Sequence, residues 1–140
     1  MQEKIKKDIF RLAASRVVIV GSVDGDGFPN GKAMFNAKHD GIRTFWLSTN
    51  TSSIRVGQFQ QNPKASLYFV DTLRFSGVMF TGEMKVRLDD EARLMLWKKG
   101  DEQYYPQGPT DPDYAVLEFT AEKGNYYHGL GKELFSVDEV

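Results

Sequence analysis

The segment Ser48-Thr49-Asn50-Thr51-Ser52-Ser53-Ile54-Arg55 holds the densest set of reactive and ligand-binding groups in this 140-residue chain. Five hydroxyls and one amide stand where an apolar run, Ile42 to Leu47, gives way to helical spacing. The first amides of a helix have no intrahelical partner and carry a partial positive charge. Hydroxyl donors at such a point, with an arginine inside the first turn, suit the oxygens of a phosphate. The competing reading is structural. Serine and threonine cap helices whatever else they bind, and an arginine is commonly a solvated surface group. Lys32 stands before the Asp40-Gly41 turn and could reach the same anion or simply face solvent.

Other chemistries find less material. The chain has no cysteine, which removes disulfides, thiolate catalysis, zinc fingers and iron–sulfur clusters together. Asp24-Gly25-Asp26-Gly27 resembles the start of a calcium loop, but the twelfth position, where an EF-hand needs glutamate, is Phe35. A hairpin turn explains it better. No dinucleotide or P-loop fingerprint occurs. His39 and His128 are isolated and form no metal-ligand spacing, and His39 beside a turn reads as a surface residue. The pairs Tyr104-Tyr105 and Tyr126-Tyr127 suit stacking on a planar ligand, and equally the edge of a core or a subunit interface. Glu118, between Leu117 and Phe119, reads as the outward residue of an alternating strand.

The elements that must position these groups follow from periodicity. Ile5, Ile9, Leu12 and Ala13 recur at helical spacing within residues 3–15. Val17 to Val20 is a β-branched strand closed by the Asp24–Gly27 turn. Asn30 to His39 reads as a second strand. The Asp40-Gly41 hairpin leads into a third, Ile42 to Leu47. A short helix ends at Asn62-Pro63, with Ile54 and Phe59 on its apolar face. Ala65–Val70 and Gly77–Leu88 are strands around a turn near Asp71-Thr72. Asp89-Asp90-Glu91 opens a further helix, and Lys98-Lys99-Gly100 is expected to close it. A Gly- and Pro-rich loop to Pro112 precedes the strand Tyr114–Thr120, a turn at Glu122–Asn125 and a short strand Tyr126–His128. Hairpin-like connections predict a mainly β fold: an antiparallel sheet or small barrel with peripheral helices, in one domain spanning 1–140.

Composition narrows the partners. Eighteen Lys and Arg against 19 Asp and Glu leave a net charge of −1, so no basic surplus points to nucleic acid or to an anionic membrane surface. No stretch approaches the roughly 20 apolar residues that span a bilayer. Met1 to Arg16 is charged and lacks a secretory apolar segment, which makes a cytoplasmic location the expectation. Ten Phe, six Tyr and two Trp are a heavy aromatic load for one core.

The order of these pieces resembles one family. Pro29-Asn30-Gly31-Lys32-Ala33-Met34-Phe35, then Phe45-Trp46-Leu47-Ser48-Thr49-Asn50 with Ser53-Ile54-Arg55, Gln61 to Leu67, and Phe80-Thr81-Gly82 match in order and spacing the FMN-binding split-barrel proteins, also called the pyridoxamine 5′-phosphate oxidase-like family. The match covers about residues 5–128 and is nearest the short bacterial branch that includes general-stress-type proteins. The resemblance implies an antiparallel Greek-key split barrel and a homodimer with FMN at the interface. It implies that Lys32, Ser53 and Arg55 hold the phosphate. Met34 and Phe35 would run beside the flavin ring, and Ser48, Thr49 and Asn50 would line the cofactor. Gly77 stands where the true oxidases place a glutamine that reaches the partner's flavin, and Tyr127 and His128 stand near the end where the oxidases use Trp and Arg. The implied function is flavin-dependent oxidoreduction of a small molecule other than pyridoxamine phosphate. FAD, a deazaflavin or haem are alternative cofactors, and a flavin or haem storage or sensor protein is the alternative function.

Overall fold

Eight strands and three helices form in the computed structural model, which describes residues 1–140. Helix α1 (Glu3–Ala13) keeps the expected face, burying Ile9, Leu12 and Ala13. It leads into β1 (Val17–Val23) and β2 (Pro29–Phe35). Next come β3 (Lys38–Asp40), β4 (Thr44–Asn50) and α2 (Ile54–Gln61). After them lie β5 (Lys64–Asp71), β6 (Ser76–Arg87) and α3 (Asp90–Leu96). The chain ends with β7 (Tyr114–His128) and β8 (Gly131–Ser136). All pairings are antiparallel, in the order β2-β1-β5-β6-β7-β4-β3, with β8 added to β7. The sheet curls into an open half-barrel. No helix is long and apolar enough to cross a membrane.

Four local expectations are corrected. The strand expected over Asn30–His39 breaks at Asn36-Ala37, because its halves pair with different neighbours, β2 with β1 and β3 with β4. The Asp40-Gly41 turn is real, with Gly41 at φ 55°, but it carries Ile42 into the core at the turn itself, and β4 starts only at Thr44. Helix α3 stops at Leu96, before Lys98-Lys99-Gly100, because Trp97 turns extended and packs at 5.5 Å on Tyr114. The turn expected at Glu122–Asn125 is continuous strand. Thr81 faces Lys123 but Gly82 faces Ala121, so Glu122 is the extra residue of a bulge. Gly82 is required there, since a Cβ would run into the carbonyl oxygen of Thr120. The last residues, left without a structure by the sequence reading, form β8 and a 3₁₀ turn over Val137–Glu139.

Cross-strand register divides the sheet into two faces. Lys32, Val20, Leu67, Phe80 and Gly124 stand in one row, and all but Lys32 are buried. This inner face, with α1 and α2, makes the main core of 22 buried residues. The adjacent outer row is Ala33, Ile19, Tyr68, Met79, Asn125 and Leu134, and none of these six is buried. A second, smaller core of Ala92, Leu96, Tyr105, Tyr114 and Val116 fastens α3 and the following loop to the far side of β4 and β7.

Candidate functional site

Strand alternation decides where the expected site residues go. Along β4, Phe45, Leu47 and Thr49 point into the main core, so Ser48 and Asn50 take the opposite face. Ser48 and Asn50 line a cleft of about 670 Å³ with Met34 and Phe35 from the end of β2. The other wall is the segment after α3, with Lys98, Tyr104 and Tyr105. The structure thus brings together four of the expected residues from two strands that are not neighbours in the sheet.

A second group gathers where β4 meets α2. Ser53 is the N-cap of α2 and accepts from the Val56 N–H at 3.3 Å. The buried Thr49 hydroxyl donates to Ser53 Oγ at 3.3 Å. Arg55, the second residue of α2 and half-buried, has a buried Nε with no hydrogen-bond partner. A buried guanidinium N–H left without an acceptor is costly, and the oxygen of an anion would satisfy it. The neighbouring loop already behaves so. Asp113 accepts from Thr51 Oγ1 at 2.9 Å and from the Ser52 N–H at 3.2 Å, and these bonds hold its carboxyl below the usual range. Two of the five hydroxyl residues therefore serve Asp113, Thr49 and Ser53 bond to each other at the helix start, and the Arg55 Nε is left without a partner there.

Lys32 lies opposite Val20 on the inner face of edge strand β2 and is exposed. Ser22, one inner row away, donates to Gln58 of α2. That spacing is about 7 Å along the strand, and Lys32 is not among the residues that line the cleft. Gly77 stands apart. It is on the outer face of β6, between Val70 and Tyr127, three strands from β2. A Cβ there would meet the Tyr127 ring at 2.8 Å and the Phe69 carbonyl at 3.0 Å. The missing side chain makes room for the Tyr127 hydroxyl to meet that of Tyr68 at 2.5 Å.

The tyrosine pairs have divided roles. Tyr105 is buried, stacks on Tyr114 at 4.6 Å and donates to Asn50 Oδ1 at 2.7 Å, so it anchors the cleft wall. Tyr104, 69% exposed, is the member left free to meet a planar ligand. Asp113 carried no signal in the sequence, since it sits in a loop without periodicity, and Lys98 read only as part of a helix end. Neither histidine lines the cleft. His39, expected at the surface, is half-buried, stacks on Phe45 at 5.7 Å and contacts the Gly41 carbonyl, while His128 lies at the β7–β8 end.

Helix α3, which launches the cleft wall, depends on charge. Asp89 caps it through the Ala92 N–H at 3.1 Å and grips Arg87 with both oxygens at 3.0 and 2.8 Å. Arg87 continues to Glu118 at 2.9 Å, which also accepts from the Trp46 ring N–H at 2.7 Å. Glu118 is thus a hub beneath the wall and not a free outward residue. Arg87 first, then the Ala92 N–H, depress the Asp89 carboxyl to about 2. Because the folded value lies below the ordinary 3.8, the contribution is full above that value and is lost as pH falls towards 2. Near-ultraviolet circular dichroism of the Trp97–Tyr105–Tyr114 cluster is therefore expected to decay across this window. In Asp89→Asn the signal should be weaker at neutral pH and no longer change there. A wild-type signal flat from pH 4 to 2 would remove the role of Asp89.

Residues 3–128 match the family model described as pyridoxamine 5′-phosphate oxidase. A solved structure from Clostridium acetobutylicum, a protein related to general stress protein 26 of B. subtilis in the pyridoxinephosphate oxidase family, is 46% identical. The match covers 99% of each chain with a TM-score of 0.90. General stress protein 26 from Bacillus anthracis is 16% identical, covering 94% of this chain and 98% of that one, with a TM-score of 0.76. A heme binding protein from Mycobacterium smegmatis is 17% identical, with 97% of this chain and 59% of that one covered and a TM-score of 0.75. The last two likenesses show the fold. No curated protein sequence matches the chain.

Proposed function

The chain belongs to the pyridoxamine 5′-phosphate oxidase family, and on that premise we propose that it binds FMN as a homodimer and serves as an oxidoreductase for a small molecule. The observation that carries this reading is the buried, unpartnered Nε of Arg55 beside the Ser53 cap. Arg55, Ser53 and Lys32 would hold the phosphate. Met34, Phe35, Ser48 and Asn50 would line the ribityl chain and ring, while Thr49, on the core side, would support the Ser53 cap. Bound FMN supplies the hydride chemistry, and the protein supplies position and electrostatics. Tyr105 holds Asn50 in place, and Phe35 and Tyr104 give the cleft its apolar walls. No acid or base in the cleft is assigned a catalytic role.

The homodimer rests on the outer face of the sheet. Val17, Ile19, Phe35, Val70 and Leu134 are apolar and exposed there, with Phe35 at 63% and Leu134 at 71%. A sheet face carrying this many exposed apolar side chains is the kind of surface a second copy covers. Gly77 lies on this face and would reach the site of the other subunit, which explains its distance from Phe35 within one chain. FMN is favoured over haem because neither histidine lines the cleft, so this chain offers no imidazole there as an axial ligand.

The test is a pair of titrations. Wild-type protein is expected to bind FMN stoichiometrically at micromolar concentration. Arg55→Ala should weaken FMN by roughly 10- to 100-fold, the loss of about 1.5–3 kcal/mol from a charge-assisted contact, and leave riboflavin nearly unchanged. Absence of FMN binding would overturn the reading, and equal losses for both ligands would remove Arg55 from the phosphate.

A further inference from the structure

A cavity of about 520 Å³ opens at the other end of the molecule, between the first turns of α1, the β5–β6 turn and the β7–β8 hairpin. Lys4, Lys7 and Arg11 reach it from α1, Arg74 from the turn and Lys132 from the hairpin. Against these five cations the lining holds one carboxylate, Asp8. That charge is already satisfied. Arg11 bridges it at 2.7 Å, and the Tyr126 hydroxyl donates to its other oxygen at 2.7 Å. Burial, and then this bond, push the Tyr126 hydroxyl up to about 12, so it remains a donor. Arg74 has only a long contact of 3.9 Å to Asp71, which Arg11 already shares at 3.1 Å. The ammonium groups of Lys4, Lys7 and Lys132 are in no ion pair.

Like charges converging on a concave site raise its potential and are relieved by an anion. A second observation lies under the same cavity. Ser76 is fully buried, and its Oγ has no hydrogen-bond partner. Register sets it directly across from His128, which lines the cavity, and from Asp71. Cross-strand partners stand about 5 Å apart at Cβ, so the orphan hydroxyl lies one strand behind a lining residue, without itself reaching the cavity surface.

We propose that this cavity is a second ligand site, separate from the Arg55 site, that takes a small molecule bearing two or more phosphate charges. The five cations converge on one concavity in a chain whose net charge is only −1, which suits a compact ligand and not an extended polyanion. The volume falls in the range of small-molecule sites, about 300–1,000 Å³.

Isothermal titration with pyrophosphate at low salt tests this. Wild-type protein is expected to show one saturable site. Lys4→Ala combined with Arg74→Ala removes two exposed cations and should weaken pyrophosphate at least about tenfold, with FMN affinity and the far-ultraviolet spectrum unchanged. Arg55→Ala should do the reverse, losing FMN and keeping pyrophosphate. No saturable binding by the wild type would overturn the proposal. So would an unchanged affinity in the double variant, or loss of pyrophosphate in Arg55→Ala, which would place the probe at the α2 site.

Discussion

Ile19→Asp is expected to give a folded monomer that no longer binds FMN. Ile19 stands centrally in the outer row, between Ala33 and Tyr68, and is 36% exposed in the single chain. The monomer therefore tolerates a carboxylate there. A two-fold interface would bury it twice, once from each subunit. Burying an unpaired charge costs several kcal/mol, so even about 3 kcal/mol raises the dimer dissociation constant more than a hundredfold. Size-exclusion chromatography with light scattering reads the assembly, and flavin absorbance reads the cofactor. Loss of both together, with the thermal transition retained, is the expected result. A variant that stays dimeric would move the interface off this face. A monomer with full FMN affinity would show that one chain completes the site, and that Gly77 serves no second subunit.

Phe45→Ala is expected to destabilise the fold by about 3–5 kcal/mol, the range for removing a fully buried phenylalanine. Phe45 is completely buried. It meets Phe69 at 5.6 Å, Phe80 at 5.7 Å and Phe119 at 6.3 Å, and His39 stacks on it at 5.7 Å. These rings come from β5, β6, β7 and β3, so the cavity would open where four strands converge and cannot easily collapse. Against a typical stability of about 5–15 kcal/mol, the midpoint of thermal unfolding should fall by roughly 10–20 °C. Phe45→Leu, which keeps most of the volume, should cost clearly less. A loss below about 1 kcal/mol for the alanine variant would mean that the rings close over the gap.

Much of this was legible in the chain. Helical spacing marked α1, a β-branched run marked β1, and Asp40-Gly41 marked a turn with a strand after it, because these signals are local and survive packing. Ser53 as a cap and Arg55 inside the first turn were legible for the same reason. The bulge at Glu122 was not. Glu122-Lys123-Gly124-Asn125 has the composition of a turn, and only its pairing with β6 on one side and β8 on the other holds it extended. Gly124 shows the same override, since it is a turn residue by composition but the place where the Phe135 ring packs. Lys98-Lys99-Gly100 has the chemistry of a helix end, yet Trp97 is drawn away earlier by Tyr105 and Tyr114. Tertiary contacts outweigh propensities of a few tenths of a kcal/mol per residue.

The sequence by itself determined the mainly β class and the cap and arginine at the start of α2, because alternation, turn chemistry and capping act over a few neighbouring positions, and it carried the motifs by which the chain resembles its family. Only the tertiary structure decided how those residues are grouped. Pairing of β4 with β7 put Ser48 and Asn50 on the cleft side and Thr49 on the core side. The break at Asn36-Ala37 brought Met34 and Phe35 to the same cleft from the far edge of the sheet. Register placed Gly77 three strands away, and the docking of α1 against the β5–β6 turn and the β7–β8 hairpin gathered Lys4, Arg74 and Lys132 around one cavity. Residues so far apart in sequence carry no mutual periodicity, and only the closure of a curved sheet brings them within reach of one ligand.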